Sequence, residues 1–171
     1  MDLKNNLLQI VKGIGIAAFI FSVTDLAMTE SFSDHKSTGS DGTSMAIADG
    51  DTVVVGSEGA NLSYDVTEIR AEAGSTLTIQ YINRGDLPHN VVLVKQRSDI
   101  NPVGIAGIQA SKTDYIPQDE ANQEKIIAHT TLAKPGETVF VTFTVPPPGT
   151  YPYICTYAGH FTMMQGDLIS E

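Results

Sequence analysis

Short runs in which apolar and polar residues alternate recur from residue 51 to the end of the chain, and they restrict the fold more than any other feature. Leu77, Ile79 and Tyr81 alternate with threonine and glutamine, and residues 139–144 repeat the pattern. A period of two places the apolar side chains on one face of a strand. Turns rich in glycine or proline separate the runs. The pattern predicts an all-β sandwich.

Three other stretches refine this prediction. Residues 91–94 are all apolar, which indicates a strand covered on both faces. Tyr151, Tyr153 and Cys155 share one face of a further strand, because alternate residues point the same way. Residues 96–125 are polar and predict a loop, with only a weak helical tendency over residues 103–111.

The chain begins with a segment typical of export. Within residues 1–28, two lysines precede an apolar run at residues 13–23. That run is shorter than the roughly 20 residues that cross a bilayer and suits a signal peptide. Asp25 stands where cleavage requires a small residue, so a retained membrane anchor is an alternative, as is an amphipathic helix of a cytosolic protein. We expect export to the periplasm or the extracytoplasmic face of the membrane.

The next segment is predicted to be a flexible linker. Residues 29–50 are rich in serine, threonine, glycine and aspartate, and their apolar residues show no periodicity. Such a composition buries too little apolar surface to offset the entropy of ordering. His35 lies here and is interpreted as a solvated residue. The folded domain is therefore expected over residues 51–171.

Charge and cysteine content exclude several classes of protein. Acidic residues number 20 and basic residues 10, for a net charge of −10, so we expect no nucleic-acid partner. Cys155 is the single cysteine. The chain therefore cannot form an internal disulfide, a Cys-x-x-Cys redox pair or a four-cysteine zinc site.

The chemistry concentrates around that cysteine. Cys155, His160 and Met164 fall within ten residues, where one predicted strand ends and the next begins. A thiolate, an imidazole and a thioether form a soft ligand set that suits copper. A second imidazole must come from elsewhere in the chain. His89, at the start of the buried run, is the better candidate, and His129 is the alternative.

These residues resemble those of a known family. Cysteine, four residues, histidine, three residues and methionine is the spacing of the ligand loop in azurin-like and auracyanin-like blue copper proteins, and residues 88–94 and 149–160 also resemble auracyanins. The likeness to this cupredoxin family extends over residues 51–171. It implies a Greek-key β-sandwich with one type 1 copper ion, bound by His89, Cys155 and His160 with Met164 as the axial ligand.

The resemblance also assigns roles around the site. It implies that the Asn90 side chain ties the two ligand loops together and that a backbone N–H donates to the cysteine sulfur. Pro88 stands where azurins have glycine, which leaves open a carbonyl contact to the metal. Ala158 replaces the family's proline, so a less stiff loop is expected. Of the adjacent methionines, the spacing favours Met164 over Met163 as the ligand.

The function implied is one-electron transport. Four protein ligands leave no coordination position for a substrate, so we expect no enzyme. We expect a monomer with transient redox partners, such as a cytochrome or a membrane electron-transfer complex. The resemblance implies electron passage at the edge of His160, among the apolar residues Ala158, Phe161 and Pro88. A copper carrier or storage protein without a shuttle role is the alternative, and a zinc-binding or metal-free adhesion sandwich is another.

Overall fold

A computed structural model describes residues 36–38, 44–47 and 52–171. The predicted signal or anchor segment, residues 1–28, lies outside the described residues, and so does His35. Neither α-helix in the described part of the chain is long and apolar enough to span a membrane.

Strands dominate the described residues. They are β1 (Lys36–Thr38), β2 (Ser44–Ile47), β3 (Thr52–Gly59), β4 (Glu68–Ala71), β5 (Thr76–Gly85), β6 (Val92–Val94), β7 (Ile126–His129), β8 (Thr138–Thr144), β9 (Gly149–Ile154) and β10 (Gln165–Ser170). Two α-helices, α1 (Ile100–Ile108) and α2 (Glu120–Gln123), lie between β6 and β7.

The strands form two sheets that enclose one main core. One sheet has the order β1-β2-β4-β10-β9-β6-β7, and the other has the order β3-β5-β8. The chain passes between the sheets several times, since β3, β5 and β8 belong to one and the intervening strands to the other. Most neighbours are antiparallel, while β3 with β5, β4 with β10 and β2 with β4 are parallel. The predicted all-β sandwich is confirmed.

The alternating pattern places its apolar residues in this core. Leu77, Ile79 and Tyr81 on β5 are buried, whereas their neighbours face outward. In the continuous run, Val91 and Leu93 face the main core. Val92 and Val94 face a second cluster of apolar residues. Cys155, directly after β9, faces the main core. The strand predicted to be covered on both faces is therefore confirmed.

The second cluster corrects the prediction of a loop over residues 96–125. Helix α1 lies within that range and buries Ile100 and Val103 against Phe161. A Cβ at Gly104 would lie 2.2 Å from Cγ of the Phe161 ring, so glycine permits this close approach. Glycine lowers helix propensity, and α1 contains Gly107 as well. The residues that let the helix pack are therefore the ones that weaken its sequence signal.

The larger sheet extends into the predicted linker. Strands β1 and β2 lie within residues 29–50; β2 pairs in parallel with β4 and antiparallel with β1. Strand pairing joins backbone N–H and C=O groups, which every composition provides. Composition alone therefore does not detect these two strands.

Candidate metal centre

Three donor atoms from two distant parts of the chain converge at one point. Sγ of Cys155 lies 3.6 Å from Nδ1 of His89 and 3.7 Å from Nδ1 of His160, and the two Nδ1 atoms are 3.2 Å apart. The exposed fraction is 0% for Cys155, 1% for His89 and 8% for His160. The three side chains form the group of possible metal ligands found among the described residues.

Backbone pairing positions the first histidine. The N–H of His89 donates to the carbonyl of Ala133 at 3.0 Å, and the N–H of Ala133 donates back at 2.8 Å. Val91 donates its N–H to Oγ1 of Thr130, and the Thr130 N–H donates to the carbonyl of Val91. These bonds hold the segment that enters β6 against the segment that leaves β7.

A tight turn positions the second histidine. His160 lies in a 3-10 segment, Tyr157–Thr162, in which Ala158 has φ of 44° and Gly159 has φ of 89°. Proline is restricted to φ near −65° and could not adopt the conformation of Ala158. Ala158, which stands where the family has proline, therefore adopts a conformation that proline could not, and the less stiff loop stays a prediction. The turn brings the imidazole back over Cys155, five positions earlier in the chain.

The adjacent methionines face opposite ways. Met164 is fully buried in the same core cluster as Cys155, whereas Met163 is 70% exposed. The Met164 N–H donates to the carbonyl of His160 at 2.8 Å, and its carbonyl accepts the N–H of Cys155 at 3.1 Å. Met164 is thus on the inner side of the ligand loop. Its role as the axial ligand stays a prediction.

His129 lies apart from the converging donors. It is the last residue of β7, it is exposed, and it pairs with Val92 across the sheet. Its Nδ1 lies 3.1 Å from the carbonyl oxygen of Thr130. The structure therefore brings His89, and not His129, to Cys155.

Asn90 joins the two ligand segments. Its Oδ1 accepts the N–H of Thr156 at 2.9 Å, and its Nδ2 donates to Oγ1 of Thr156 at 2.9 Å and to the carbonyl of Asp114 at 3.0 Å. Asn90 is fully buried. It directly follows His89 in the sequence, and Thr156 directly follows Cys155. Pro88 is half-buried on the other side of His89. Its carbonyl contact to the metal stays a prediction.

Burial sets the protonation of the donors. It lowers the pKa of His89 to about 4, with the neighbouring His160 contributing in the same direction, and it also lowers the pKa of His160. Burial raises the pKa of the Cys155 thiol to about 11, while the backbone N–H groups of Asn90 and Tyr157 oppose that rise by hydrogen bonding. At pH 7 both imidazoles are neutral and ready to bind a cation. Metal binding must displace the thiol proton.

The donor set fits copper. Two imidazole nitrogens and one sulfur point at a common centre in a dry interior, where lone pairs that face one another repel unless a cation or a proton lies between them. Two histidines and a cysteine form the trigonal ligand set of type 1 copper, and a nearby thioether completes it. His89, Cys155 and His160 are the residues that would hold the ion.

This site in a β-sandwich defines a blue copper protein with the cupredoxin fold. Residues 51–171 match the family model of copper binding proteins of the plastocyanin/azurin family. The chain belongs to this family, whose members are electron-transfer proteins, and its cofactor is one type 1 copper ion.

Known relatives agree with this assignment. Auracyanin-A of Chloroflexus aurantiacus is 43% identical over 121 residues, which cover 69% of this chain and 73% of that protein. Azurin of Pseudomonas fluorescens biotype C is 32% identical, over 61% of this chain and 87% of that protein. The solved structure of auracyanin A, a "blue" copper protein, superposes with a TM-score of 0.66 at 40% identity, covering 74% of this chain and all of that one.

Two features near the site escaped the sequence analysis. Gly107 on α1 would place a Cβ 3.0 Å from Cβ of Thr156, so the helix packs directly on the ligand loop. The hydroxyl of Tyr64 donates to the carbonyl of Asn90 at 2.7 Å. The spacing of Gly104 and Gly107, which lie on one side of a helix, is the available signal for the first feature. Tyr64 lies in a segment without periodicity, and no comparable signal marks it.

Proposed function

We propose that this chain carries one electron at a time between redox proteins outside the cytoplasm, with copper held by His89, Cys155 and His160 and with Met164 as the axial ligand. The convergence of three buried donors, within 4.8 Å of one another, carries this proposal. The buried position of Met164 beside Cys155 supports its axial role.

The surroundings of the donors suit rapid redox change. Bound copper would supply one-electron chemistry by alternating between Cu(I) and Cu(II). The chain contributes a fixed arrangement: His89 is held by backbone bonds to Ala133, and Asn90 joins its segment to the cysteine loop. Donors held in this way need little movement between the two oxidation states.

An apolar surface beside His160 supports transient docking. His160 is the most exposed of the three donors, and Ala158 and Met163 are exposed next to it. Ile108 of α1 is 43% exposed, and its Cδ1 lies 4.0 Å from where a Cβ of Gly159 would be. We call these four residues, Ala158, Met163, Ile108 and the edge of His160, the docking patch. A small apolar surface is typical of weak, short-lived electron-transfer complexes.

The docking patch keeps Ala158 and the edge of His160 from the expected surface, but Met163 and Ile108 take the places of Phe161 and the half-buried Pro88. Phe161 was expected among its apolar residues, but it is only 5% exposed. Its ring turns inward against Gly104 of α1, and the helix supplies Ile108 to the surface instead. The net charge of −10 supports a partner with a basic surface, such as a cytochrome, through attraction that weakens with salt.

The proposal includes export and a monomeric chain. Two lysines followed by a short apolar run support a signal peptide or an anchor at residues 1–28. Intact masses of the protein from the soluble and membrane fractions test this point. A mass lacking residues 1–28 in the soluble fraction indicates cleavage, and the full mass confined to the membrane fraction indicates an anchor.

Electron exchange with a cytochrome tests the proposed function. The copper-loaded protein is mixed with a basic c-type cytochrome in a stopped-flow instrument, in both redox directions, and copper is assayed after many cycles with a chelator present. We expect reversible one-electron exchange, a rate that falls with salt, and retention of copper. Release of copper to the chelator without electron exchange would instead identify a copper carrier.

A matched pair of variants tests the docking patch. Ile108→Lys places a charge in the patch, whereas Phe140→Lys places one on β8, where Phe140 is 58% exposed. We expect only Ile108→Lys to slow exchange with the cytochrome, with the visible spectrum unchanged in both. Equal rates for the two variants would exclude this surface as the docking site.

A further inference from the structure

We propose that Tyr64 is a positioning residue for the copper site, acting through the backbone of Asn90. This inference rests on the proposed function. Tyr64 lies between β3 and β4, is 3% exposed, and donates its hydroxyl to the carbonyl of Asn90 at 2.7 Å. The acceptor belongs to the residue directly after His89.

The segment from His89 to Val91 precedes β6 and depends on individual hydrogen bonds. His89 pairs with Ala133 through its N–H and carbonyl, and Val91 pairs with Thr130. Between them, the carbonyl of Asn90 receives its hydrogen bond from a side chain that is 26 positions away in the sequence. A buried carbonyl that loses its donor must move or stay unpaired at a cost, so the hydroxyl of Tyr64 resists rotation of this peptide group.

Rotation at Asn90 would disturb both ligand segments. The Asn90 side chain accepts the N–H of Thr156, next to Cys155, and the backbone N–H of Asn90 donates toward the Cys155 sulfur. Hydrogen bonds to a ligand sulfur tune a copper site. Tyr64 donates its hydroxyl to Asn90, and Asn90 connects the segment of His89 with that of Cys155.

The hydroxyl of Tyr64 is a dependable donor. Burial raises its pKa well above the ordinary value, and the charge of a Cys155 thiolate raises it further. The phenol therefore stays protonated at neutral pH. The Tyr64 ring also packs against Tyr81 and Tyr153, with centroids 6.0 Å and 5.2 Å away, which restricts its orientation.

The chain offers a matched control in Tyr153. This tyrosine is also fully buried, and its hydroxyl donates to a backbone carbonyl, that of Val66, at 2.6 Å. Val66 is not part of either ligand segment. Removing this hydroxyl therefore costs a similar buried hydrogen bond and leaves Asn90 untouched. Tyr153 lies on β9, only two positions before Cys155. A general effect of losing a buried hydroxyl near the ligand loop would therefore appear in this control as well.

The experiment compares the wild type with Tyr64→Phe and Tyr153→Phe, each loaded with one equivalent of copper. Denaturant midpoint, visible spectrum, reduction potential and the rate of copper loss to a chelator are measured. We expect similar losses of stability in both variants. Only Tyr64→Phe should shift the spectrum and the potential, and it should lose copper about tenfold faster, the lower end of the effect for partners of ligand residues.

A rescue variant separates the hydrogen bond from packing. Replacement of Tyr64 by 4-aminophenylalanine keeps a donor on the ring and should restore the wild-type potential and copper-loss rate; it also serves if Tyr64→Phe does not fold. Equal potentials and copper-loss rates in the two phenylalanine variants would overturn this inference alone. A wild type that stays colourless with copper would overturn the proposed function and this inference together.

Discussion

The two segments that supply the donors are constructed in different ways. Cys155 and His160 lie in one loop, and a single turn brings the imidazole back over the sulfur. His89 lies 66 positions from Cys155, and it reaches the site only because β6, β7 and β9 pair side by side. The local ligand loop therefore depends on its own spacing, whereas the distant ligand depends on the whole sandwich and its buried hydrogen bonds.

Removal of His89, the distant donor, should have the largest effect on the copper site. His89→Ala opens an equatorial position, so we expect loss of the blue colour. Copper affinity should fall by more than the roughly 10–100-fold cost of losing an outer hydrogen-bond partner. The measurement is a copper titration followed by visible absorption. His129→Ala is the control and should behave as the wild type; loss of colour in that variant would show that the fold selects the other histidine.

Protonation of the distant donor provides a second test. The folded-state pKa of His89 lies below its ordinary value of 6.5, at about 4, so the unfolded chain binds this proton more readily. The free energy of unfolding of the copper-free protein is therefore highest above pH 6.5. It falls by up to roughly 3 kcal/mol as the pH decreases toward 4. The lowered pKa of His160 adds to the loss.

Urea unfolding of the copper-free protein from pH 7.5 to 4.5 measures this effect. His89→Gln removes the titrating group, so its stability should depend less on pH than that of the wild type, whereas His129→Ala should keep the full dependence. The same slope for His89→Gln and the wild type would contradict the assigned shift.

Packing of α1 against the local loop gives a third, smaller effect. Gly104→Ala would place a Cβ 2.2 Å from the Phe161 ring, next to His160, so we expect a loss of about 1–3 kcal/mol in the free energy of unfolding. Ile105→Ala on the same helix is the control, since Ile105 is 60% exposed, and it should change stability by no more than about 0.5 kcal/mol. Helix propensity alone predicts the opposite sign for Gly104→Ala. Stabilisation in denaturant unfolding would therefore reject this packing.

The axial position should respond least. Met164→Leu removes the proposed weak thioether donor to Cu(II), so we expect the blue colour to remain and the reduction potential to rise. Potentiometric titration measures the change, and Met163→Leu, at an exposed position, is the control. An unchanged potential in Met164→Leu would exclude an axial role for its sulfur.

The difference between the local ligand loop and the distant His89 explains which features can be predicted from the sequence. The strand pattern of β5, the parity of Cys155 and the spacing of the ligand loop are local, and each was readable from neighbouring residues. The position of His89 at the start of the buried run favours it over His129. The inward turn of Phe161, the packing of α1 and the hydrogen bond of Tyr64 cannot be predicted in this way, because they depend on partners distant in the sequence.

A copper titration followed by visible absorption shows directly whether Cys155, with His89 and His160, holds one copper ion. The wild type should develop an intense thiolate-to-copper band that saturates at one equivalent of Cu(II), and Cys155→Ser should show no such band. A colourless wild type, or an intense band that persists in Cys155→Ser, would contradict the account.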